Sequence, residues 1–402
     1  MLIPDGKTLN FQPITQPDNQ TLDGFIYALR LQDTYTADLT FYYKNVTIKV
    51  ADLTRLNPQG CLLPNAIQPS LGQTLLLYAA PAVYNTYRKL ADESVKAFVQ
   101  DKQPASVDFR AEGKLFGSPI FEYDSREDDA PQRCHILVWL QDNPQTLKFA
   151  TSTFNFDLRN LLCSRAKIVF VYGEAGKKYR QAQQIVGELE KKLPELRAIE
   201  SEPNRQVKLQ KLKELLAEVP TKMLAFAQQV RYLQEDRNTI DTNAENYGEA
   251  LTRIRGLSIP GDNLDFWERF LDLAENKYQR QIEIDLNYLL ASQNLFQQSI
   301  STVRGMVEIE QVELDSEQEG REKKRDRQLE NIIFFVGTAI GGGQIFSAAY
   351  PLIKDTPIQW LPDFSLPLHP FAATIIFSLL FGLGFGLLTL GIAVLVRKTF
   401  LG

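Results

Sequence analysis

The sequence predicts an α+β domain, followed by a helical layer, a long stalk helix and two C-terminal transmembrane helices. The N-terminal third alternates short runs of aromatic and branched residues with turns, whereas later residues are rich in Glu, Lys, Gln, Leu and Ala. Near the C-terminus, two apolar stretches at 332–353 and 371–396 contain no Asp, Glu, Lys or Arg. Each is long enough to cross about 30 Å of hydrocarbon as a helix.

The predicted boundaries follow these changes in composition. We expect a cytoplasmic α/β domain over 1–156, a helical region over 157–262, the stalk over 263–330, a first span over 331–353, an external loop over 354–370, a second span over 371–396 and a tail over 397–402. Within the first domain, the patterns predict strands at 25–31, 39–43, 45–50, 74–78, 107–109, 115–123 and 135–140, and a helix at 81–100.

Prolines and glycines divide the helical region. A helix is predicted from Asn155 or Asp157 toward Leu193, ending at Pro194. A second is predicted at 205–218, broken before Pro220, and a third from 221 to 236 or beyond. The turn-forming run 257–263 then separates this region from the stalk. Asp262 or Asn263 is expected to cap the following helix.

The stalk carries a heptad pattern that we call the inner seam. It contains no proline, and its apolar residues alternate in spacings of three and four, with Gln293 and Glu310 as polar interruptions. Its apolar members are Ile282, Leu286, Leu289, Phe296, Ile300, Val303, Val307 and Leu314. The pattern predicts that the helix packs on other helices, either within the same subunit or between subunits.

Charge at the flanks of the two spans predicts their orientation. Basic residues cluster at 321–327 and at 397–398, whereas the loop between the spans has one Lys and two Asp. The positive-inside rule then places both termini in the cytoplasm of a multi-pass cell-membrane protein. The first residues have no basic region followed by an apolar run, so no signal peptide is expected.

Composition argues against several classes of function. A net charge of −5 gives no reason to expect a nucleic-acid partner. The cysteines, Cys61, Cys134 and Cys163, are widely spaced and predict neither a disulfide framework nor a metal site. With only His135 and His369 available, neither a histidine-based zinc site nor a Ser/His/Asp arrangement can be assembled, and no enzyme is predicted.

Three local patterns have features of a phosphate-binding or metal-binding site. The segment 173–178 has glycines and a lysine after an apolar run, but its spacing does not fit a phosphate-binding loop. The Cys134–His135 pair is expected inside a strand. Acidic side chains could offer oxygen ligands to Mg²⁺ or Ca²⁺, although most are expected to be solvated. They are Asp124, Glu127, Asp128 and Asp129 in a loop, and Glu283, Asp285, Glu308, Glu310, Glu313, Asp315, Glu317 and Glu319 on the stalk.

The two spans contain small and polar residues. Asn331 and Thr338 lie seven positions apart on one helical face, which Gly341 and Gly342 continue, so this face is the predicted pore lining. In the second span, Gly382 and Gly386 form a GxxxG pair that favours close helix packing.

The order of these segments resembles the CorA family of two-span divalent-cation transporters and channels. The resemblance implies a homopentamer in the lipid bilayer, a first span that lines an ion-conducting pore, and a cytoplasmic domain that gates it. It also implies a divalent cation such as Mg²⁺ as the transported ion or regulatory ligand. Residues 348–352, Ala-Ala-Tyr-Pro-Leu, stand where the family carries Gly-Met-Asn, which leaves the ion open. The alternative is a two-span effector or sensor whose hairpin anchors in or permeabilises the membrane.

Overall fold

The computed structural model describes residues 8–317, except for 17–18, 32, 45, 83–85, 103–105, 126 and 151–153. Both predicted spans, the loop between them and the tail therefore lie outside the described residues. Among the helices of the described part, none is long and apolar enough to cross a membrane. The described chain forms two compact units, which comprise 8–186 with 228–292 and 187–227 with 293–317.

An antiparallel sheet opens the first unit. Two short strands, β1 (Leu9–Asn10) and β2 (Ile14–Thr15), both pair with β3 (Thr21–Leu31). On its other side β3 forms a long hairpin with β4 (Thr34–Tyr43). The predicted strand at 45–50 is wrong, because the chain continues into a 3₁₀ helix, Val50–Arg55. That turn is stabilised by the Asp52 carboxylate, which accepts a hydrogen bond from the Lys49 amide.

A second, mixed sheet has the strand order β5–β8–β7–β6. Its strands are β5 (Gln73–Ala79), β6 (Asp108–Leu115), β7 (Ser118–Asp124) and β8 (Cys134–Leu140). β5 and β8 are parallel and the other pairs antiparallel. Short helical segments join the strands: Pro58–Gly60 and Ala130–Gln132 are 3₁₀, and α1 (Pro64–Ile67), α2 (Tyr87–Val99) and α3 (Pro144–Ala150) are α-helical.

Strand β8 is buried along its whole length, which explains its almost continuous apolar sequence. Successive side chains of a strand point to opposite faces. Ile136, Val138 and Leu140 contribute to a core with Leu90 and Phe98 of α2. His135 and Trp139 therefore point to the opposite face of the sheet. That alternation places the candidate site described below.

The helical part consists of α4 (Phe154–Glu190), α5 (Lys192–Glu200), α6 (Arg205–Gly256), α7 (Asp265–Leu273) and α8 (Gln279–Glu317). A π-helical turn, Ala274–Tyr278, joins α7 to α8. The coarse prediction of an α+β N-terminal part followed by long helices is thus confirmed for the described residues. The break at 257–263 is also present.

Two prolines behave differently from the prediction. Pro220 does not break α6, which runs through it for 52 residues. Leu212, Leu215 and Leu216 are buried just before it, and this packing outweighs the lost backbone hydrogen bond. Pro194 does not end a helix but lies in the first turn of α5, where its missing N–H is not needed.

The sequence predicts that Asp262 or Asn263 caps α7, but Asp262 does not. Its carboxylate instead accepts hydrogen bonds from the Phe116 and Gly117 amides in the β6–β7 turn, at 2.9 and 2.8 Å, and from Ile259. The Asn263 side chain accepts a hydrogen bond from the Asp265 amide at the start of α7. The N-cap position is Leu264, which has no side-chain cap, so the capping prediction is wrong for both residues. The 257–263 turn is therefore tied to the mixed sheet by a charged acceptor.

Candidate functional site: a buried charge cluster

Five ionisable side chains meet on the face of the mixed sheet that points away from α2, and one of them, Arg165, reaches this face from α4. Glu122 and Asp124 come from β7, His135 from β8, Arg133 from the residue just before β8, and Arg165 from α4. Asp124 and His135 are direct cross-strand partners, and Thr74 of β5 is the partner of His135 on its other side. We call these five residues the charge cluster. All of them belong to the first unit.

Asp124 is held by two guanidinium groups. Arg133 forms a bidentate pair with it, from Nε to Oδ1 at 2.7 Å and from Nη2 to Oδ2 at 2.8 Å. Arg165 donates a further bond from Nη2 to Oδ2 at 3.0 Å. Arg110 donates two bonds to the Asp124 carbonyl oxygen, so the end of β7 is fixed by side chain and backbone alike.

Glu122 connects Arg165 to His135. Its Oε1 lies 3.4 Å from Nη2 of Arg165 and 3.0 Å from Nε2 of His135. The other ring nitrogen, Nδ1, lies 2.8 Å from the Thr74 hydroxyl. An ionised Glu122 only accepts, so Nε2–H donates to it, and the neutral ring accepts from Thr74 at Nδ1. Both ring nitrogens of His135 are thereby occupied.

Aromatic rings surround the Arg165 side chain. Its guanidinium carbon lies 5.1 Å from the centre of the Phe270 ring on α7, and Phe270 in turn contacts Tyr247 of α6, with ring centres 5.2 Å apart. Tyr172 of α4 stacks on Tyr278 at 4.0 Å. Arg165 is buried. The cluster thus links the sheet to α4 and lies next to rings from α6 and α7.

The cluster shifts the pKa values of its members. Burial alone would raise the pKa of Asp124, but the Arg133 hydrogen bonds and the charges of both arginines hold it far below its usual range. Burial likewise opposes ionisation of Glu122, and the His135 hydrogen bond and the Arg165 charge lower its pKa overall. Burial lowers the pKa of His135, and the charge of Arg165 adds to this. Two carboxylates therefore balance two guanidinium groups around a neutral imidazole.

Acid should weaken this fold in two steps. His135 is neutral when folded, whereas its unfolded pKa is 6.5, so the unfolded chain binds the extra proton as the pH falls below about 7. The free energy of unfolding should fall between pH 7.5 and 5.5, by at most about 1.4 kcal/mol per pH unit for one proton. It should fall further below about pH 4.5, where Glu122 and Asp124 must be protonated in the unfolded chain.

Chemical denaturation at pH 7.5 and 5.5 measures the first step. In His135→Gln, the amide can still donate to Glu122 but does not titrate, so most of the difference between the two pH values should disappear. An equal pH dependence in wild type and variant would show that His135 is not its source.

The structure locates some of the predicted site residues. Asp124 is a buried ion-pair member rather than a solvated loop residue, and Asp129 pairs with Lys177. Among the stalk acids, Glu283 pairs with Arg237. The segment 173–178 lies within α4, and Cys134 and His135 lie within β8, as expected. In the residues that the structure describes, no three His, Cys, Asp or Glu side chains are grouped to hold a metal ion.

Asn331, Thr338, Gly341 and Gly342 of the predicted pore face lie outside the described residues, and so do Gly382 and Gly386.

Sequence reasoning missed Arg165 and the role of Glu122. A local signal existed in part, since Glu122 and Asp124 lie two apart in an apolar strand and therefore share one face of it. Arg165 lies 43 positions after Glu122, in a helix, and nothing in the sequence pairs them.

Protein-family models, curated proteins and solved structures were each compared with the chain, and none of them matches it.

Proposed function

We propose that this protein is an oligomeric, CorA-like ion channel or transporter of the cell membrane, cation-conducting, whose N-terminal part is cytoplasmic and controls the pore. The observation that carries the proposal is helix α8. Its described part is 39 residues long, about 58 Å at 1.5 Å per residue, and the last of these residues, Glu317, lies 14 residues before the uncharged apolar segment 332–353. A long helix that leads toward an apolar segment suits transmission of movement from an α+β domain to a membrane pore.

The charge cluster supports a mechanical role for the first unit. A largely buried, charge-balanced set of hydrogen bonds fixes the position of α4 on the sheet more narrowly than apolar packing alone would. Its histidine is buried and has both ring nitrogens occupied, so the cluster suits a rigid connection better than proton transfer to a substrate. A gating domain needs such rigid connections, because loosely packed elements would not transmit its movement to the pore.

The pore itself is proposed from the sequence of the first span. In an oligomer, Asn331 and Thr338 would stack rings of amide and hydroxyl groups that can replace an ion's water shell. The alternative function, a two-span effector or sensor, is favoured by residues 348–352, which lack the Gly-Met-Asn of the family. The two functions differ in whether the purified protein conducts a specific ion.

Flux through reconstituted liposomes tests the proposal. The full chain should conduct at least one of the cations Mg²⁺, Ni²⁺, Zn²⁺ and K⁺, with Cl⁻ flux measured for comparison. Asn331→Leu should sharply reduce that flux, because it places an apolar ring at the inner mouth, and Thr338→Gly should relax selectivity. Ser347→Ala, on another face of the span, is the matched control and should conduct like wild type.

Two results would count against this assignment. If Asn331→Leu and Thr338→Gly both conduct like wild type, the pore face lies elsewhere. If wild type conducts none of these cations, with or without divalent metal on the cytoplasmic side, the effector or sensor function is favoured.

A further inference from the structure

Helix α8 exposes an unusual number of apolar side chains. Six of the large hydrophobic residues that are exposed in the described chain lie on α8, against two on the longer helix α6. Tyr288, Ile309 and Val312 keep 67%, 60% and 68% of their surface accessible. Single exposed apolar residues are ordinary on a protein surface, but a repeated set along one helix marks an interaction surface.

Five of the six follow a heptad repeat, which we call the outer stripe. They are Ile284, Tyr288, Leu295, Ile309 and Val312. Ala291, Gln298, Thr302 and Gly305 fill the positions between them, so the spacing alternates between four and three from 284 to 312. Over this stretch of about 42 Å, no position of the stripe carries a charge.

The outer stripe lies opposite the inner seam. Every stripe position follows a seam position by two residues, which is a rotation of roughly 200° about the helix axis. Among the seam residues, Ile282, Leu289 and Phe296 are buried by the chain itself. A helix with water on its outer side would show polar residues there. Two opposite heptad repeats are instead typical of a helix packed between two helical partners, of which the described chain supplies one.

We propose that the outer stripe is where α8 packs against α8 of a second copy of this chain. A partner must present a matching repeat of about 3.5 residues over the same length, and a second α8 does so by identity. The side chains beside the stripe between 287 and 301 are uncharged, and include Asn287, Asn294, Ser299 and Ser301. Two identical helices can therefore approach there without repulsion between like charges.

The segments that follow α8 also favour further copies of the chain as the partner. Asn331 and Thr338 bring amide and hydroxyl groups to the first apolar segment, where such groups need hydrogen-bond partners or water. The given sequence of one copy contains two apolar segments, so further copies would bring additional segments whose polar groups can act as partners. The proposal rests on the oligomer of the proposed function and gives it a surface, the outer stripe, in place of the inner seam.

Charge placed on the stripe tests the proposal. The full chain in detergent should be an oligomer by native mass spectrometry. The double variant Leu295→Glu with Ile309→Glu should be a folded monomer of unchanged helicity, because both side chains are exposed in the single copy. Leu290→Glu with Gln297→Glu is the matched control. It adds the same charge to α8 away from the stripe and should keep the wild-type mass.

A milder pair keeps the test decisive if the glutamate variant fails to fold. Leu295→Ser with Ile309→Ser should raise the concentration at which the oligomer dissociates by about tenfold or more. A monomeric wild type, or stripe variants with the wild-type mass and dissociation point, would overturn the proposal. Conduction is measured separately. If the stripe variants lose assembly and the wild type conducts no ion, the result supports the outer stripe and counts against the channel. If a variant with a charged stripe still assembles and conducts, the result supports the channel and counts against the outer stripe.

Discussion

Replacing Arg165 by methionine should destabilise the first unit by about 3–5 kcal/mol, which is the usual cost of removing one partner from a buried ion pair. Methionine keeps much of the volume and the apolar contact with Phe270, but it leaves Glu122 without the Arg165 charge. Asp124 keeps Arg133, so the largest loss falls on Glu122. The measurement is chemical denaturation of the full chain, followed by circular dichroism.

Arg159→Met is the matched control on the same helix. Arg159 pairs with Asp38 at 3.0 Å, but both side chains are partly exposed, and such pairs contribute about 0–1 kcal/mol. Adding Glu122→Gln to Arg165→Met should restore part of the lost stability, because it removes the unpaired charge. If Arg165→Met costs no more than Arg159→Met, the cluster does not hold α4 to the sheet.

Replacing Phe296 by alanine should destabilise the second unit by about 3–5 kcal/mol, whereas the same change at Leu224 of α6, in the same unit and outside the outer stripe, should cost little. Phe296 is 2% exposed and meets Phe226 edge to face, with ring centres 6.4 Å apart; Leu224 is 69% exposed. Thermal unfolding of the two variants measures the difference. Equal losses would mean that Phe296 does not lie in the core of the second unit.

The burial of Phe296 within one chain changes what the inner seam implies for assembly. From sequence alone, charge at Phe296 and Ile300 would be expected to dissociate an oligomer if the seam joined subunits. In the structure Val303 and Val307 pack with Leu212 and Leu215 of the same chain, and Ile300 packs against this group. Aspartate at Phe296 and Ile300 should therefore unfold the second unit rather than separate intact subunits, which circular dichroism distinguishes from a change in mass.

The polar interruption of the seam at Glu310 also has a partner within the chain. The carboxylate pairs with Lys208, and three residues further along α8, Glu313 pairs with Arg205 at 2.8 Å. The end of α8 is thus tied to the start of α6 by two ion pairs. Glu310, which interrupts the apolar pattern in the sequence, thus forms a charged contact between two helices of one unit.

Local sequence patterns were sufficient to predict the elements in which neighbouring residues all favour the same secondary structure. The aromatic and branched residues of β3 and β4 and the apolar runs of β5 and β8 predicted strands, and the turn at 257–263 predicted the break before α7. These signals are local, because side-chain period and turn chemistry act over a few neighbouring residues. The same holds for the two apolar segments after residue 331, whose length and lack of charge are properties of the sequence itself.

Tertiary packing decided the rest. Pro220 stays inside α6 because buried neighbours outweigh the local penalty, and residues 46–50 form no strand although they alternate. Glu122 and Arg165 meet only because the fold brings β7 under α4. Both heptad repeats of α8 are present in the sequence, offset by two residues, yet the sequence does not say which one the chain covers. That choice depends on where other helices lie, because burial is a property of the packed chain and not of the pattern.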